Sequence, residues 1–393
     1  MTNFSDVDIS NETVCLSSDD RPPRPFGQGS EEFLRHLADA CPLVTADPDN
    51  PGDPPARYIL HEELGAGSIG QIVAAVDEHL GRRVAIKILN GGSGVTRERI
   101  ARFLLEAQIT AQLEHPAIVP VHEIGRMPGG LPYFAMKLVR GESMEELIAR
   151  LAQGDAAHLE RYTLKARLRL FHRLCQGVAY AHAKGVVHRD LKPANILLGV
   201  YGEVQIMDWG LAKVDAGRDQ ALDSVRVIRV DDDIADDGRE IAGTPAYMSP
   251  EQAAGRAASA NPPADVYALG LILAELVCLE RVAQDQGPPE RGRDRFSRPV
   301  ELAALNPAIR VDAEVAAVVR RCTDPDPARR YPDASALALD VRDCMEGRIP
   351  RAMPTGAGRR FVKWLTRHPI WCGALLGAGL EALALAAWAA LWT

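Results

Sequence analysis

The stretch VVHRDLKPANILL, residues 186–198, decides how the rest of this chain is interpreted. It consists of a short apolar run, a polar loop and a second apolar run, which is typical of two buried strands joined by a loop. Three polar side chains of different chemistry, Asp190, Lys192 and Asn195, lie within six positions of each other. A carboxylate can accept a proton from an attacking hydroxyl, an ammonium can neutralise a phosphate, and an amide can bind a metal ion. The loop therefore predicts phosphoryl transfer, with an ordinary strand-loop-strand and a structural ion pair as the alternative.

Downstream of this loop, a second carboxylate follows an apolar strand. Asp208 ends the run VQIMD at residues 204–208 and is followed by Trp209 and Gly210. A carboxylate followed by an aromatic residue and a glycine suits a Mg²⁺ ligand on a movable hinge. A long, acidic stretch then leads to GTPAYMSPE at residues 243–251. A loop of that length inside a domain is usually functional or disordered.

Upstream, a lysine lies inside an apolar strand. Lys87 belongs to VAIKIL at residues 84–89, and burial of its charge is costly unless the ammonium is paired. The candidate partner is Glu106, in a segment whose apolar residues have helical spacing. Such a pair would point the ammonium at the α- and β-phosphates of a nucleotide. The alternative is a surface lysine whose stem alone is buried.

A glycine-rich turn precedes this strand. It has the form G-x-G-x-x-G and lies between two strands of a predicted hairpin, whereas a dinucleotide-binding turn needs a helix after the glycines. Glycines at these positions would let backbone N–H groups close over phosphates. A plain turn is the alternative when this motif is taken by itself. The residues of the turn are Leu64, Gly65, Ala66, Gly67, Ser68, Ile69, Gly70, Gln71 and Ile72.

The run PYFAMKLV at residues 132–139 predicts a buried strand that ends in a connecting segment. If the domain binds a nucleotide, the backbone between Lys137 and Val139 would hydrogen-bond an adenine ring. Helical patterns follow at residues 164–184, 265–276, 311–322 and 334–346. The first of these leads directly into the polar loop at residues 188–195.

Composition places the chain among ordinary globular proteins of two or three domains. Of its 393 residues, 25% are charged and 47% are hydrophobic. The net charge of −8 gives no global basic field of the kind that attracts nucleic acid. The seven cysteines are scattered without a C-x-x-C pair. We therefore expect a reducing compartment, with neither a disulfide framework nor a zinc site.

Changes in residue type divide the chain into four segments. Residues 1–56 are rich in acids and prolines and are expected to form a mostly disordered leader without a secretory signal. Residues 57–347 carry strand and helix patterns and predict one α+β domain. Residues 348–369 form a basic linker, and residues 370–392 are apolar apart from Glu381.

The apolar run at residues 370–392 predicts a transmembrane helix, which needs about 20 residues. The basic linker before it would place the preceding domain in the cytoplasm. Glu381 costs about 2.5–3.5 kcal/mol at mid-span, and we expect its apolar neighbours to outweigh that cost. A soluble core helix is the alternative. Gly373 and Gly377 form a small-x-x-x-small pattern, which predicts pairing of two such helices in a homodimer.

Taken together, these motifs resemble the Hanks-type (eukaryotic-like) Ser/Thr protein kinases, and most of all the bacterial membrane-anchored ones. The resemblance covers residues 58–347 and includes several separated motifs in the order found in that family. It implies a two-lobed protein kinase fold, with a small β-rich N-lobe and a larger helical C-lobe. It also implies ATP and Mg²⁺ in the cleft, protein substrates, autophosphorylation, and a catalytic domain on the cytoplasmic side of the cell membrane.

The resemblance assigns a role to each candidate residue. Asp190 would be the catalytic base, and Lys192 would contact the γ-phosphate. Asn195 and Asp208 would hold Mg²⁺. The nucleotide-binding positions would be the nine residues 64–72 together with Ala85, Lys87, Glu106, Lys137, Val139 and Leu197.

Other positions refine the resemblance. Glu251 and Arg330 match the family's buried ion pair, and Lys192 with the GTP at residues 243–245 resembles the Ser/Thr branch more than the tyrosine branch. The chain departs from the family at Trp209, where Phe is usual, at Ser249, which replaces an Ala before Pro250, and at Lys137, where an acid is common. These departures put regulation in doubt more than chemistry.

Two other functions fit the same motifs less well. A pseudokinase scaffold would keep the fold without the reaction, and the intact catalytic and metal-binding positions argue against it. A kinase-like small-molecule phosphotransferase would not need the segment at residues 243–251, which presents peptide in the family.

The acidic stretch before residue 243 also bears on activation. Ser224 is the only hydroxyl side chain between Leu211 and Ala242, whereas residues 231–240 contain six acids. In related kinases, an arginine at the position of Arg189 binds a phosphate on this segment. We hypothesise that one of these carboxylates supplies part of that charge permanently. A solvated acidic loop with Ser224 as the switch is the alternative.

Overall fold

The computed structural model describes residues 57–67, 69–91, 96–127, 130–214, 244–255, 261–282 and 298–353, together with Glu381. The predicted leader, Ser68, Ser224 with its acidic neighbours, and nearly all of the predicted membrane span lie outside the described residues. Within the ranges that are described, no helix combines the length and apolar character needed to cross a membrane.

The N-terminal part of the domain is a five-stranded antiparallel sheet with the strand order β1-β2-β3-β5-β4. Its strands are β1 (Tyr58–Ala66), β2 (Gly70–Asp77), β3 (Arg82–Leu89), β4 (Val121–Arg126) and β5 (Pro132–Lys137). The hairpin predicted around the glycine-rich turn is confirmed, because β1 pairs with β2 from Tyr58↔Asp77 to Ala66↔Gln71. Helix α1 (Arg97–Gln112) contacts β4 and β5 and starts at Thr96, whose side chain accepts from the N–H of Arg99.

Strand β3 is apolar from Val84 to Leu89 apart from Lys87, because both of its faces are covered there. Val84, Ile86 and Ile88 belong to one hydrophobic cluster, with Tyr58 and Tyr133. Ala85 and Leu89 belong to another, which includes Phe103 of α1. Because side chains alternate along a strand, Lys87 lies on the face of Ala85 and Leu89, toward the helix that carries Glu106.

The C-terminal part is mainly helical and contains the largest hydrophobic cluster. Its helices are α2 (Met144–Ala152), α3 (Ala156–Arg161), α4 (Leu164–Ala183), α5 (Pro250–Ala253), α6 (Pro262–Cys278), α7 (Leu302–Leu305), α8 (Ala313–Cys322) and α9 (Ala334–Met345). Two small sheets accompany them, formed by β6 (Gly141–Ser143), β8 (Ile196–Gly199) and β9 (Val204–Ile206), and by β7 (Val186–Val187) with β10 (Lys213–Val214). The four longer helices predicted from periodicity are therefore confirmed, with bounds that differ by up to three residues.

Helix α6 is buried on all sides, from Ala264 to Cys278. That explains why its sequence is apolar without a polar face. The sheet and the helical part meet where the N–H of Ile206 donates to Ala117 O and the N–H of Val119 donates to Ile206 O. These bonds fix the end of β9, two residues before Asp208.

Candidate active site

Lys87 and Glu106 form a buried ion pair between β3 and α1. Lys87 Nζ donates to Glu106 Oε1 at 2.6 Å and to Oε2 at 2.8 Å. Asp208 Oδ1 lies 3.7 Å from the same ammonium, and its side chain is 44% exposed. The pair expected from the sequence is therefore present, and the ammonium also faces the carboxylate that was predicted to bind metal.

Burial and charge act in opposite directions on this pair. Burial raises the pKa of Glu106 to about 7, against the opposing charge of Lys87. Burial alone would lower the pKa of Lys87, but the carboxylates of Glu106 and Asp208 outweigh it and the pKa is raised. Lys87 therefore stays charged at neutral pH, as contact with phosphate oxygens requires.

The polar loop brings its three predicted side chains together with Thr244. Lys192 Nζ donates to Asp190 Oδ2 and to Thr244 Oγ1, both at 2.7 Å. The backbone N–H of Thr244 donates to Asp190 Oδ1 at 2.7 Å. Asn195 Nδ2 donates to the Asp190 carbonyl at 3.0 Å. The base candidate thus lies beside a hydroxyl-bearing segment and a lysine that can contact a transferring phosphate.

A residue that sequence analysis did not identify as part of the site holds this loop in place. Asp265, on α6, is 1% exposed and accepts from the backbone N–H of His188 at 2.8 Å and of Arg189 at 2.9 Å. Its Oδ2 also lies 2.9 Å from His182 Nε2. On the other side, Gln252 Nε2 donates to the Arg189 carbonyl. An acid inside a buried apolar helix was the signal that could have identified Asp265, since a buried charge needs partners.

Trp209, which directly follows the predicted metal ligand Asp208, is buried against His188. It is 1% exposed, and its ring centroid is 4.6 Å from that of His188. His188 Nε2 lies 3.1 Å from Met207 O, so the imidazole joins the residues on either side of Asp208. Among the described residues, Trp209 Nε1 has no hydrogen-bond partner. The tryptophan therefore fills this position through packing alone.

The nucleotide-binding candidates other than Glu106 lie on the turn and on strands β1, β2, β3, β5 and β8, or directly after β5. Ile69 and Ile72 pack against the cluster that contains Ala85. The N–H of Gly67 donates to Gly70 O at 2.9 Å, and a Cβ on Gly70 would lie 2.5 Å from Ile88 O, so only glycine fits there. The other described positions lie on β1 (Leu64, Gly65, Ala66), β2 (Gln71), the end of β5 (Lys137), the segment after it (Val139), and β8 (Leu197). Their contacts with a nucleotide remain predictions.

The predicted metal ligands suit a magnesium ion. Asn195 donates a hydrogen bond through Nδ2, so its amide oxygen is the atom that can bind a cation. The Asp208 carboxylate is about half-exposed and can bind the same cation. The N–H of Met207 donates to the Asn195 carbonyl at 2.9 Å, which links the two ligand segments. Mg²⁺ typically takes one or two protein oxygens and completes its shell with water and phosphate. This donor set fits that preference.

Glu251 and Arg330 form the buried pair expected from the sequence. Arg330 NH1 and NH2 donate to the two Glu251 carboxylate oxygens at 2.7 and 2.9 Å. The guanidinium also donates to the carbonyl oxygens of Asp324, Pro263 and Pro325. Arg330 thereby joins the end of the 244–255 segment to the helical core.

Comparison with known proteins shows the family. Residues 58–340 match the family model of the protein kinase domain. The chain is 35% identical over 302 residues to the serine/threonine-protein kinase PknD of Protochlamydia amoebophila, a match that covers 74% of this chain and 30% of that protein. It is 33% identical over 298 residues to the kinase of the same name from Chlamydia caviae, a match that covers 74% of this chain and 31% of that kinase. It is 31% identical over 330 residues to the kinase of the same name from Chlamydia pneumoniae, a match that covers 80% of this chain and 34% of that kinase.

The chain thus spans about a third of the length of the curated relatives that it matches. The matched region contains every element described above from β1 to most of α9. On this basis, the chain belongs to the protein kinase domain family.

Proposed function

We propose that this protein transfers the γ-phosphate of ATP to serine and threonine hydroxyls of proteins, including its own. The observation that carries the proposal is the contact of Asp190 and Lys192 with Thr244. It places a proton acceptor and a phosphate-binding ammonium at one end of the segment that resembles the peptide-presenting part of the family. The relatives are named as serine/threonine-protein kinases, which supports the same reaction.

The side chains would act mainly by positioning and charge. Asp190 accepts the proton of the attacking hydroxyl, while Lys192, which donates to Asp190 Oδ2, neutralises charge on the transferring phosphoryl group. Lys87, fixed by Glu106, binds the α- and β-phosphates. Bound Mg²⁺, held by Asn195 and Asp208, would supply further charge neutralisation on the β- and γ-phosphates.

The nucleotide would lie between the sheet and the helical part. The turn at residues 64–72 would cover its phosphates, and Ala85 and Leu197 would contact the adenine from opposite sides. Backbone groups of Lys137 and Val139 would hydrogen-bond the ring. This arrangement rests on the family resemblance and on the positions of these residues on β1, β2, β3 and β8 and at or just after the end of β5.

Membrane attachment forms a second part of the proposal and rests on sequence alone. The apolar run at residues 370–392, with its basic flank, would anchor the chain as a single-pass protein with its kinase domain in the cytoplasm. Gly373 and Gly377 would allow two such helices to pair. Pairing would favour phosphorylation in trans by raising the local concentration of the kinase.

The test is to incubate the full-length chain with Mg²⁺, γ-labelled ATP and a generic acceptor protein, followed by phosphoamino-acid analysis. We expect label on Ser and Thr, lost in Asp190→Asn, while nucleotide binding measured by calorimetry is retained. A pseudokinase would bind nucleotide without transfer, and a small-molecule phosphotransferase would label a metabolite but no protein. Transfer by Asp190→Asn near the wild-type rate would contradict the assignment of the base.

A further inference from the structure

A small cavity lies on the helical part, at the far end of the strand that starts beside Asn195. It has a volume of about 200 Å³ and is walled by Gly141 of β6, by residues of α2 and α3, and by Leu198 and Gly199 of β8. Two residues of β8, Ile196 and Leu197, separate Asn195 from the lining residue Leu198, which lies about 10 Å along the strand at about 3.3 Å per residue. The cavity is therefore separate from the nucleotide site but attached to it by one short strand.

The backbone at this position is tightly packed. Gly141 pairs with Gly199 in the β6–β8 ladder, and a Cβ on Gly141 would overlap the carbonyl oxygen of Leu198. Arg161 NH2 donates to Val200 O at 2.9 Å, which fastens α3 to the turn after β8. These two contacts hold the backbone around the cavity in place, so less ordering is needed when an occupant binds.

The charged side chains of the walls favour an anion. Glu142 is the one acid among the lining residues, and its two oxygens face Arg150 Nε at 3.4 Å and His158 Nε2 at 3.2 Å. Arg161 has five N–H donors, of which the Val200 carbonyl takes one. Arg150 and Arg161 therefore line the cavity together with Glu142, which is paired with Arg150 and His158, and His158 also lies 3.2 Å from Asp155 Oδ1. Guanidinium groups bind carboxylate and phosphate well.

Its size indicates the kind of occupant. Pockets for whole small molecules usually measure about 300–1,000 Å³, so this cavity suits the end of one side chain better than a complete metabolite. Exposed apolar residues lie beside it as well. Six large hydrophobic residues are exposed in the described part of the chain, and three of them lie here: Val200 lines the cavity, and Leu159 and Tyr201 directly follow lining residues in sequence. Tyr201 is 94% exposed.

We propose that this cavity, with Leu159, Val200 and Tyr201 at its edge, is a docking site for an acidic peptide segment of protein substrates. An acidic side chain enters the cavity and meets Arg150 and Arg161, while a neighbouring apolar side chain packs on Tyr201. Docking tethers the substrate, so its phosphoacceptor reaches Asp190 at a raised effective concentration. The proposal rests on the proposed kinase function for its role, but not for the binding itself.

Binding is tested first, without catalysis. The probe is a fluorescein-labelled peptide of repeated Leu-Asp-Glu, and its control replaces every acid with lysine. By fluorescence anisotropy with the full-length chain, we expect the acidic peptide to bind and Arg150→Glu to weaken it about tenfold or more. Arg161→Glu should act likewise, and Tyr201→Ala, which removes no charge, should weaken binding about threefold or more.

Arg320→Glu is the matched control for charge reversal. The two arginines have similar surroundings: Arg150 is 53% exposed and paired with Glu142, and Arg320 is 52% exposed and paired with Glu301. Arg320, however, lies on α8, away from the cavity. It should leave peptide binding unchanged. The proposal is overturned if the acidic and basic peptides bind equally, or if Arg320→Glu weakens binding as much as Arg150→Glu does.

The second measurement separates docking from chemistry. A serine acceptor peptide is joined through a flexible linker to the acidic segment, and we expect a KM about tenfold lower than for the acceptor peptide alone. Arg150→Glu should abolish that difference and leave kcat and KM for the isolated acceptor unchanged. Binding without any transfer would refute the proposed function while leaving the site intact. Transfer with no effect of the acidic segment on KM would refute the docking role.

Discussion

The Asp265 carboxylate accepts a hydrogen bond from the backbone N–H of Arg189 at 2.9 Å, while Arg189 has φ 71°. Positive φ is unfavourable for residues other than glycine. The buried acid on α6 therefore holds the residue before Asp190, the proposed catalytic base, in a conformation that the chain would otherwise leave. Burial alone would raise the pKa of Asp265, but its bond to His182 and the nearby imidazoles outweigh it and the pKa is lowered.

Replacing Asp265 with alanine should reduce both stability and turnover. Each backbone donor left without a partner costs about 1–3 kcal/mol, and the freed loop should lower kcat by at least about tenfold. Urea denaturation and steady-state kinetics measure the two effects. Asp312→Ala is the control, because Asp312 is exposed, precedes α8 and makes no capping bond through its side chain. Wild-type kcat in Asp265→Ala would contradict the positioning role.

Lys87→Met should abolish transfer and also destabilise the protein. It removes the ammonium that would bind the α- and β-phosphates and leaves Glu106, which is 3% exposed, without its partner. Breaking a buried pair from one side typically costs about 3–5 kcal/mol. The double variant Lys87→Met/Glu106→Gln should recover much of that stability in thermal or urea denaturation but no activity. Equal stability of the single and double variants would show that the pair is energetically unimportant.

The Glu251–Arg330 pair should make stability depend on acid pH. Burial tends to raise the pKa of Glu251, but Arg330 outweighs it and the pKa is lowered. A lowered carboxyl pKa gives stability that is present above the unfolded value, about 4.5, and is lost as the pH falls through the folded value.

The free energy of unfolding of Glu251→Gln should therefore be lower than that of wild type, and the difference should be largest near neutral pH, at about 3–5 kcal/mol. The difference in unfolding free energy should shrink below pH of about 4.5. Denaturation of both proteins between about pH 3 and 7 measures it. A difference that stays constant over this range would show that the ionised pair contributes nothing. Glu301→Gln, on an exposed pair with Arg320, should change stability by less than about 1 kcal/mol throughout.

Trp209→Phe should be tolerated, whereas Trp209→Ala should not. The indole N–H has no hydrogen-bond partner among the described residues, so phenylalanine loses packing but no bond. We expect Trp209→Phe to keep kcat within about threefold and Trp209→Ala to lose about 3–5 kcal/mol of stability through the cavity it leaves beside His188. If Trp209→Phe abolished activity, the tryptophan would have a role beyond filling space.

The parts of the site that could be predicted from the sequence are those in which a short segment shows by itself what its residues need. A lysine in an apolar strand requires a partner, and helical spacing placed Glu106 on the helix facing Lys87. The hairpin and the longer helices followed from periodicity in the same way.

Other parts could not be predicted because their partners leave no pattern in the sequence. Asp265 binds backbone amides of residues 76 and 77 positions upstream, and an amide is present at almost any residue. The cavity beside Arg150 and Arg161 is assembled from β6, α2, α3 and β8, and none of these segments carries a motif of its own. Only the folded chain brings them together.

Asp208, like Arg189, has positive φ, at 60°. In a non-glycine residue this conformation costs about 1–2 kcal/mol, so the protein is less stable at these two positions than its sequence allows. Glycine at either position would relieve the strain and at the same time remove a side chain for which we propose a role in activity. A screen that selects only for thermal stability would therefore favour inactive variants at these two positions. Directed evolution of a more stable protein needs selection for catalysis at every round.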